Sequence, residues 1–239
     1  DIMLAIDVST SMLAEDLKPN RLEAAKDVAA EFINGRPNDN IGITLFAGET
    51  FTQCPLTVDH AVLLDMIHNI KCGLIEDGTA VGMGVANAVT RLKDSKAKSK
   101  VIILLTDGTN NKGDISPLTA AEIAKSFGIR VYTIGVGTNG MAPYPYPVGN
   151  TVQYINMPVE IDEKTLTQIA GTTDGNYFRA TSNSKLKEVY EEIDKLEKTK
   201  LNVKEYSKRE EDYRWFALAA FLCVLLEVLL RNSILKKIP

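Results

Sequence analysis

Apolar residues recur along this chain in two alternating periods. Runs dominated by apolar side chains at residues 2–6, Ile41–Phe46, 101–105 and 129–134 have the length of strands and show no polar face. That pattern predicts strands buried on both sides of a parallel sheet. Between them, Leu22, Ala25, Val28, Ala29, Phe32 and Ile33 fall at helical spacing behind Asn20, a residue suited to capping. Residues 61–70 and Val81–Leu92 read as further helices. Ser116-Pro117 opens another that ends at Phe127-Gly128, and residues 162–170 form a short one. Leu186, Val189, Tyr190, Ile193 and Leu196 stripe a last helix. Residues 50–53, across a Gly48-Glu49 turn, read as a short antiparallel edge strand, and Tyr177–Ala180 as the final strand. The expected fold is α/β: a doubly wound, mostly parallel sheet with one antiparallel edge strand and helices on both faces.

The polar residues that interrupt this pattern fall where strands end. Asp7-Val8-Ser9-Thr10-Ser11 follows the first run, Thr106-Asp107-Gly108 closes the run at 101–105, and Asp77-Gly78-Thr79-Ala80 precedes the helix at Val81. Each alone reads as a capped turn. In a doubly wound sheet, however, the carboxyl ends of the parallel strands lie on one edge, where such folds bind ligands. Carboxylates and hydroxyls converging there suit a hard divalent cation.

Together these three segments resemble the metal-ion-dependent adhesion site (MIDAS) of the von Willebrand factor A (vWA) domain. The resemblance runs from Ile2 to about Lys198 and assigns the metal to Asp7, Ser9, Ser11, Thr79 and Asp107, with no departure from the pattern. Within that family, Asp107-Gly108-Thr109-Asn110-Asn111 and a hydrophobic tail look most like the bacterial membrane-anchored aerotolerance (Bat) proteins, the BatA group in particular. The resemblance implies Mg²⁺, or Mn²⁺ or Ca²⁺, held mainly by neutral hydroxyls, with the two Asp acting partly through water. An ion so held keeps positive charge and an open position that a partner's carboxylate fills. The implied role is a binding module in a membrane complex, with other membrane or periplasmic Bat-type proteins as partners. A second implied role is an adaptor beside a MoxR-type AAA+ ATPase.

An enzyme is the competing class, since phosphatases on other α/β folds also place Asp after the first strand. Those with a DxD pattern need a second carboxylate where this chain has Ser9. The two histidines, His60 and His68, lie in or beside one helix, and no nucleophile and base pair up in the sequence. The expectation is therefore a protein without catalytic activity.

Composition adds boundaries. With 239 residues, a net charge of -4 and scattered basic residues, the chain predicts one substantial domain and no nucleic-acid partner. The expected division is a domain at 1–199, a linker at 200–214, a transmembrane helix at 215–231 and a short basic tail at 232–239. The run at 215–230 is sixteen residues, about 24 Å of helix, with Trp215 and Phe216 at one end and Arg231, Lys236 and Lys237 beyond the other as interface anchors. Glu227 is its one acidic residue. Basic residues flank the run almost evenly, so charge alone does not orient it. Asp1 enters the first strand directly, which reads as a fragment of a longer protein. The family's membrane helices ahead of the domain imply a bacterial inner-membrane protein with the domain facing the periplasm.

Two features stand apart from the alternating rhythm. Residues 135–157 carry Pro143, Pro145 and Pro147 interleaved with Tyr144 and Tyr146. Proline fixes φ and removes donors, so an extended, stiff loop is expected, with a small hairpin at 152–155 and with Tyr144 and Tyr146 as contact residues for a partner. The segment GVGTNG within it has the G-x-G-x-x-G spacing but lacks the Lys-Ser/Thr of a P-loop, which makes it a poor phosphate cradle. Cys54 and Cys72 flank the helix at 61–70 and are read either as a disulfide or as two free thiols, while Cys223 falls in the C-terminal apolar run.

Overall fold

The structure, a computed structural model, describes residues 1–149 and 151–205 together with Ala220 and Val224. A six-stranded sheet is built from β1 (Ile2–Asp7), β2 (Ile41–Phe46), β3 (Thr50–Thr57), β4 (Val101–Thr106), β5 (Arg130–Val136) and, after the hairpin described below, β8 (Tyr177–Ala180). Its order is β3-β2-β1-β4-β5-β8, parallel throughout except for antiparallel β3 on the edge. The helices are α1 (Arg21–Asn34), α2 (His60–His68), α3 (Val81–Leu92), α4 (Pro117–Ser126), α5 (Glu163–Thr172) and α6 (Asn183–Glu205).

The two cores follow from the two-residue period of a strand. In β1, Ile2, Leu4 and Ile6 face one layer with α1, α2 and α6, whereas Met3 and Ala5 face the other with α3, α4 and α5. β4 divides in the same way, Val101, Ile103 and Leu105 against Ile102 and Leu104. Every residue of β1, β2 and β4 is buried, which is why their sequences show no polar face. Helix starts obey local chemistry: the side chains of Asn20, Asp59, Ser116 and Asp162 accept hydrogen bonds from the backbone of the first turns they precede.

Two expectations need correction. The edge strand β3 runs to Thr57, past residue 53, because Pro55 is tolerated where one side of the strand has no neighbour. Cys54 therefore lies inside β3, opposite Ile43, and packs in the core. Residues 135–157 are not a loop around a short hairpin. They hold a full β-ribbon, β6 (Met141–Val148) antiparallel to β7 (Thr151–Pro158), registered from Met141 opposite Pro158 to Val148 opposite Thr151.

The prolines permit this ribbon because they alternate. Glu15 N donates to Pro143 O at 2.8 Å, so the backbone polar groups of Pro143 point away from β7. A strand residue presents N–H and C=O on the same side, so Pro145 and Pro147 also place their missing donors on the outer edge. The inner edge keeps the donors of Tyr144 and Tyr146.

The chain divides into two compact units, residues 1–198 and 199–239. The expected membrane segment at 215–231 lies outside the described residues, apart from Ala220 and Val224, which are helical. Among the described residues no helix is long and apolar enough to cross a membrane.

Candidate metal centre

The carboxyl end of β1 delivers Asp7 to the sheet edge, fully buried. A turn of 3-10 helix at Thr10–Leu13 then folds Ser9 and Ser11 back over it. Ser9 N donates to Asp7 Oδ1 at 2.9 Å, and Thr106 Oγ1 at the end of β4 donates to Asp7 Oδ2 at 2.6 Å. Ser9 Oγ and Ser11 Oγ lie 2.9 Å apart, and Ser11 Oγ donates to Asp107 Oδ1 at 2.7 Å. Thr79 comes from the loop that starts α3. A Cβ on Gly108 would lie 3.2 Å from Thr79 Oγ1, so glycine beside Asp107 is what lets the threonine hydroxyl approach. All five residues singled out in the sequence thus meet at one place.

The loops are held by backbone-directed amides. Thr79 N donates to Asn111 Oδ1 at 2.9 Å, Asn111 N returns a bond to Thr79 O at 3.0 Å, and Gly82 N donates to Asn110 Oδ1 at 3.3 Å. Thr10 donates to Asp77 through both its amide and its hydroxyl.

Sequence reasoning missed Arg21 and Asp16. Arg21, the first residue of α1, is buried with its guanidinium shared between two carboxylates. Its Nη1 donates to Asp107 Oδ2 at 2.6 Å, while Nε and Nη2 each donate to Asp16 at 2.7 Å. Asp16 also accepts from Thr138 N at 2.8 Å and Thr138 Oγ1 at 3.1 Å, which ties the loop after β5 to the same cluster. Gly137 makes room for this: its φ is +142°, and a Cβ there would meet Arg21 Nη2 at 2.8 Å. A basic residue opening an amphipathic helix reads as solvated, so no sequence signal distinguished Arg21; the spacing of Asp16 five residues earlier is compatible with many turns.

The electrostatics separate the carboxylates. Burial would push Asp16 up, but Arg21 and Thr138 outweigh it and hold Asp16 below the usual carboxylate range. Asp107 is raised by burial, against the pull of Arg21 and Ser11. Asp7 is pushed up to about 7, first by burial and then by the neighbouring Asp107 charge, in spite of its bonds from Ser9 and Thr106. Among the described residues no lysine or arginine pairs with Asp7. A fully buried carboxylate without a cationic partner is costly, and a bound cation removes that cost. The donor set fits a hard divalent ion, being oxygen throughout and hydroxyl-rich; its carboxylates are few, and among the described residues no group of three or more His, Cys, Asp or Glu is placed to hold a metal.

Cys54 and Cys72 are free thiols in the structure. Cys54 is directed into the core beneath α2, whereas Cys72 Sγ donates to Ser9 O at 3.4 Å, beside the metal loops. Burial, with the charges of Asp7 and Asp107, pushes the Cys72 thiol up to about 12. His60 Nε2 is bonded to Asp39 O and His68 Nδ1 to Leu64 O, so neither belongs to the site.

Tyr144 and Tyr146 stand on β6, in the wall of a cavity of about 260 Å³ whose other wall includes Ser11 and Arg21. The predicted contact residues and the predicted metal ligands therefore share one edge of the domain.

The family model of the von Willebrand factor type A domain matches residues 1–192. An aerotolerance-related membrane protein from Bacteroides fragilis is similar in structure, with TM-score 0.71 and 32% identity over 81% of this chain and 96% of that one. BatB from Bacteroides thetaiotaomicron gives TM-score 0.72 and 34% identity over 82% of this chain and 98% of that one. The mussel byssus proximal thread matrix protein 1, solved with a zinc-occupied MIDAS motif, gives TM-score 0.64 and 25% identity over 82% of this chain and 45% of that one. A UPF0353 protein of Mycolicibacterium paratuberculosis is 31% identical over 203 residues, and the chain spans 58% of its length.

Proposed function

The chain belongs to the von Willebrand factor type A domain family, and from that premise we propose that it is a protein-binding module whose bound divalent cation docks an acidic side chain of a partner. Asp7, Ser9, Ser11, Thr79 and Asp107 would hold the ion, with Mg²⁺ foremost. The observation that carries this reading is the buried Asp7, which has no lysine or arginine partner among the described residues and is set among hydroxyls at the edge where three loops meet. When bound, the cation supplies an electrophilic point that accepts one further oxygen.

The chain's own residues do the rest. Thr106 and the Ser9 amide fix the orientation of Asp7, and Arg21 occupies Asp107 Oδ2, leaving Oδ1 turned toward Ser11 and the site. The hydroxyls add donors without adding negative charge, so the ion keeps its attraction for an anion. Both histidines are bonded to backbone carbonyls elsewhere, which favours binding over acid–base chemistry at this edge. The likeness to Bat-type proteins, one of them named a membrane protein, supports a setting at a bacterial membrane; a membrane complex with the domain on the periplasmic side belongs to the proposal.

The test is recovery of partners from detergent-solubilised membranes with and without EDTA, using the full chain and its Thr79→Ala variant. Recovery is expected to fall with either treatment. Recovery unchanged by both would place recognition on another face.

A further inference from the structure

The cavity beside the metal loops has a shape and a chemistry of its own. Ser11, Ala14 and Arg21 form one wall, and Tyr144, Tyr146 and Met157 from the β6–β7 ribbon form the other. Ser11 is also one of the five metal-site residues, so the cavity lies within reach of the residues that neighbour a carboxylate held at the ion. A volume of about 260 Å³ is below the usual range of small-molecule sites, ~300–1,000 Å³, and suits one or two side chains.

The ribbon face that meets the cavity is mostly apolar, with Gln153 opposite Tyr146 its polar member, and it is buried at Ala142 but open at Tyr146, Ile155 and Met157. Cross-strand partners share a face, which groups Ala142 with Met157 and Tyr144 with Ile155, and Tyr146 lies two residues further along β6. Tyr146 is 52% exposed, Met157 48% and Ile155 46%. An isolated two-stranded ribbon is marginal in water, and an exposed apolar face on it marks an interaction surface. The outer edge of β6 decides how that surface can be used. Without N–H groups at Pro143, Pro145 and Pro147, and with Pro143 O already bonded to Glu15 N, it cannot take a partner strand into a regular ladder. Recognition there must run through side chains.

We infer that the partner is a protein segment in which the metal-binding Asp or Glu is followed or preceded, within two positions, by a large aromatic or aliphatic side chain that enters the cavity between Ser11 and Tyr144. This inference rests on the proposed docking of an acidic residue at the ion and adds a second determinant to it. The carboxylate matches the charge of the ion, and the apolar neighbour covers the Tyr146 and Met157 face that the domain leaves open. Tyrosine supplies contact area at small entropic cost, which suits a shallow wall of this kind.

A displayed library of random heptapeptides panned against the full chain in detergent with Mg²⁺ tests both determinants. Enrichment of Asp or Glu with Phe, Tyr, Leu or Met within two positions is the expected result. Synthetic Gly-Ser-Asp-Phe-Ser-Gly and Gly-Ser-Asp-Gly-Ser-Gly amides then separate the contributions by NMR titration. The Phe peptide should bind at least tenfold more tightly, EDTA and Asp7→Ala should abolish binding of both, and the paired substitution Tyr144→Ser with Tyr146→Ser should bring the Phe peptide down to the Gly peptide. Magnesium affinity should be unchanged in that variant, which also reports that it is folded. Acidic enrichment with no apolar neighbour, or equal affinities for the two peptides, overturns the cavity while leaving the metal docking in place. No Mg²⁺-dependent enrichment of acidic residues overturns both.

Discussion

The metal loops and the proline ribbon lie side by side on one edge, yet they are stabilised in opposite ways. Three carboxylates of the loops have buried side chains bonded from at least two sides: Asp7 by Ser9 and Thr106, Asp107 by Ser11 and Arg21, and Asp16 by Arg21 and Thr138. Every residue of β7 is exposed, and the ribbon is tied to the domain through a few contacts, among them Glu15 N to Pro143 O and Tyr154 Oη to Glu15. Buried, mutually bonded groups fix positions to fractions of an ångström, as coordination of an ion demands. A ribbon with open faces adapts to whatever lies against it. The difference teaches that geometry and adaptability are kept on separate elements.

The strongest way to break this contrast is to remove the guanidinium on which two carboxylates depend. Arg21→Ala leaves Asp16 and Asp107 as uncompensated buried charges and should destabilise the domain by about 3–5 kcal/mol, read as a shift of the urea midpoint. An unchanged midpoint would show the Arg21 contacts to be energetically idle. Next is Asp7→Ala, which should lower Mg²⁺ affinity by about 100-fold, some 2.7 kcal/mol, while retaining the fold by circular dichroism. Titration calorimetry decides it, and the rise in melting temperature that Mg²⁺ gives the parent chain should vanish.

A smaller effect concerns pH. The folded pKa of Asp7, about 7, lies above the ~3.9 of an unfolded aspartate. The metal-free domain therefore holds the proton more tightly than the unfolded chain does, and it loses stability as pH rises from about 4 to about 7. Protons compete with the ion over the same group, so Mg²⁺ affinity should be about tenfold weaker at pH 6 than at pH 8. A flat profile would mean that Asp7 is already ionised at pH 6. The smallest effect belongs to the ribbon: Tyr144→Ala should change stability by less than about 0.5 kcal/mol. Hydrogen exchange should find the amides of β6 and β7 opening far more readily than those of β1 and β4. Equal protection of the two regions would erase the contrast.

Much of the metal edge was legible in the sequence because topology does the assembling. Buried strands announce themselves as apolar runs and parallel strands end on one side, which brings the three segments to one edge, and the resemblance to the vWA pattern singled out Asp7, Ser9, Ser11, Thr79 and Asp107 among their polar residues. Arg21 was not legible, since its role depends on a carboxylate 86 positions away that only folding delivers. The ribbon was misread as a loop because proline content was weighed without proline phase. At alternate positions the missing donors all fall on the outer edge of β6. The cysteines flank α2 as expected, but strand β3 turns Cys54 into the core while Cys72 reaches toward Ser9, which separates their directions.

One further consequence follows from the way α3 begins. Its own first-turn neighbour, Ala80, offers no capping side chain. The amide of Gly82 is instead satisfied by Asn110, 28 residues downstream, and Thr79 is clasped by Asn111. A growing chain that has not yet reached Asn110 can neither finish that helix start nor fix Thr79. These loops thus close only once the chain has passed β4 and reached Asn111, so a copy that stops short of it would lack the proposed ion site, and a partner that read the ion would pass such a copy over.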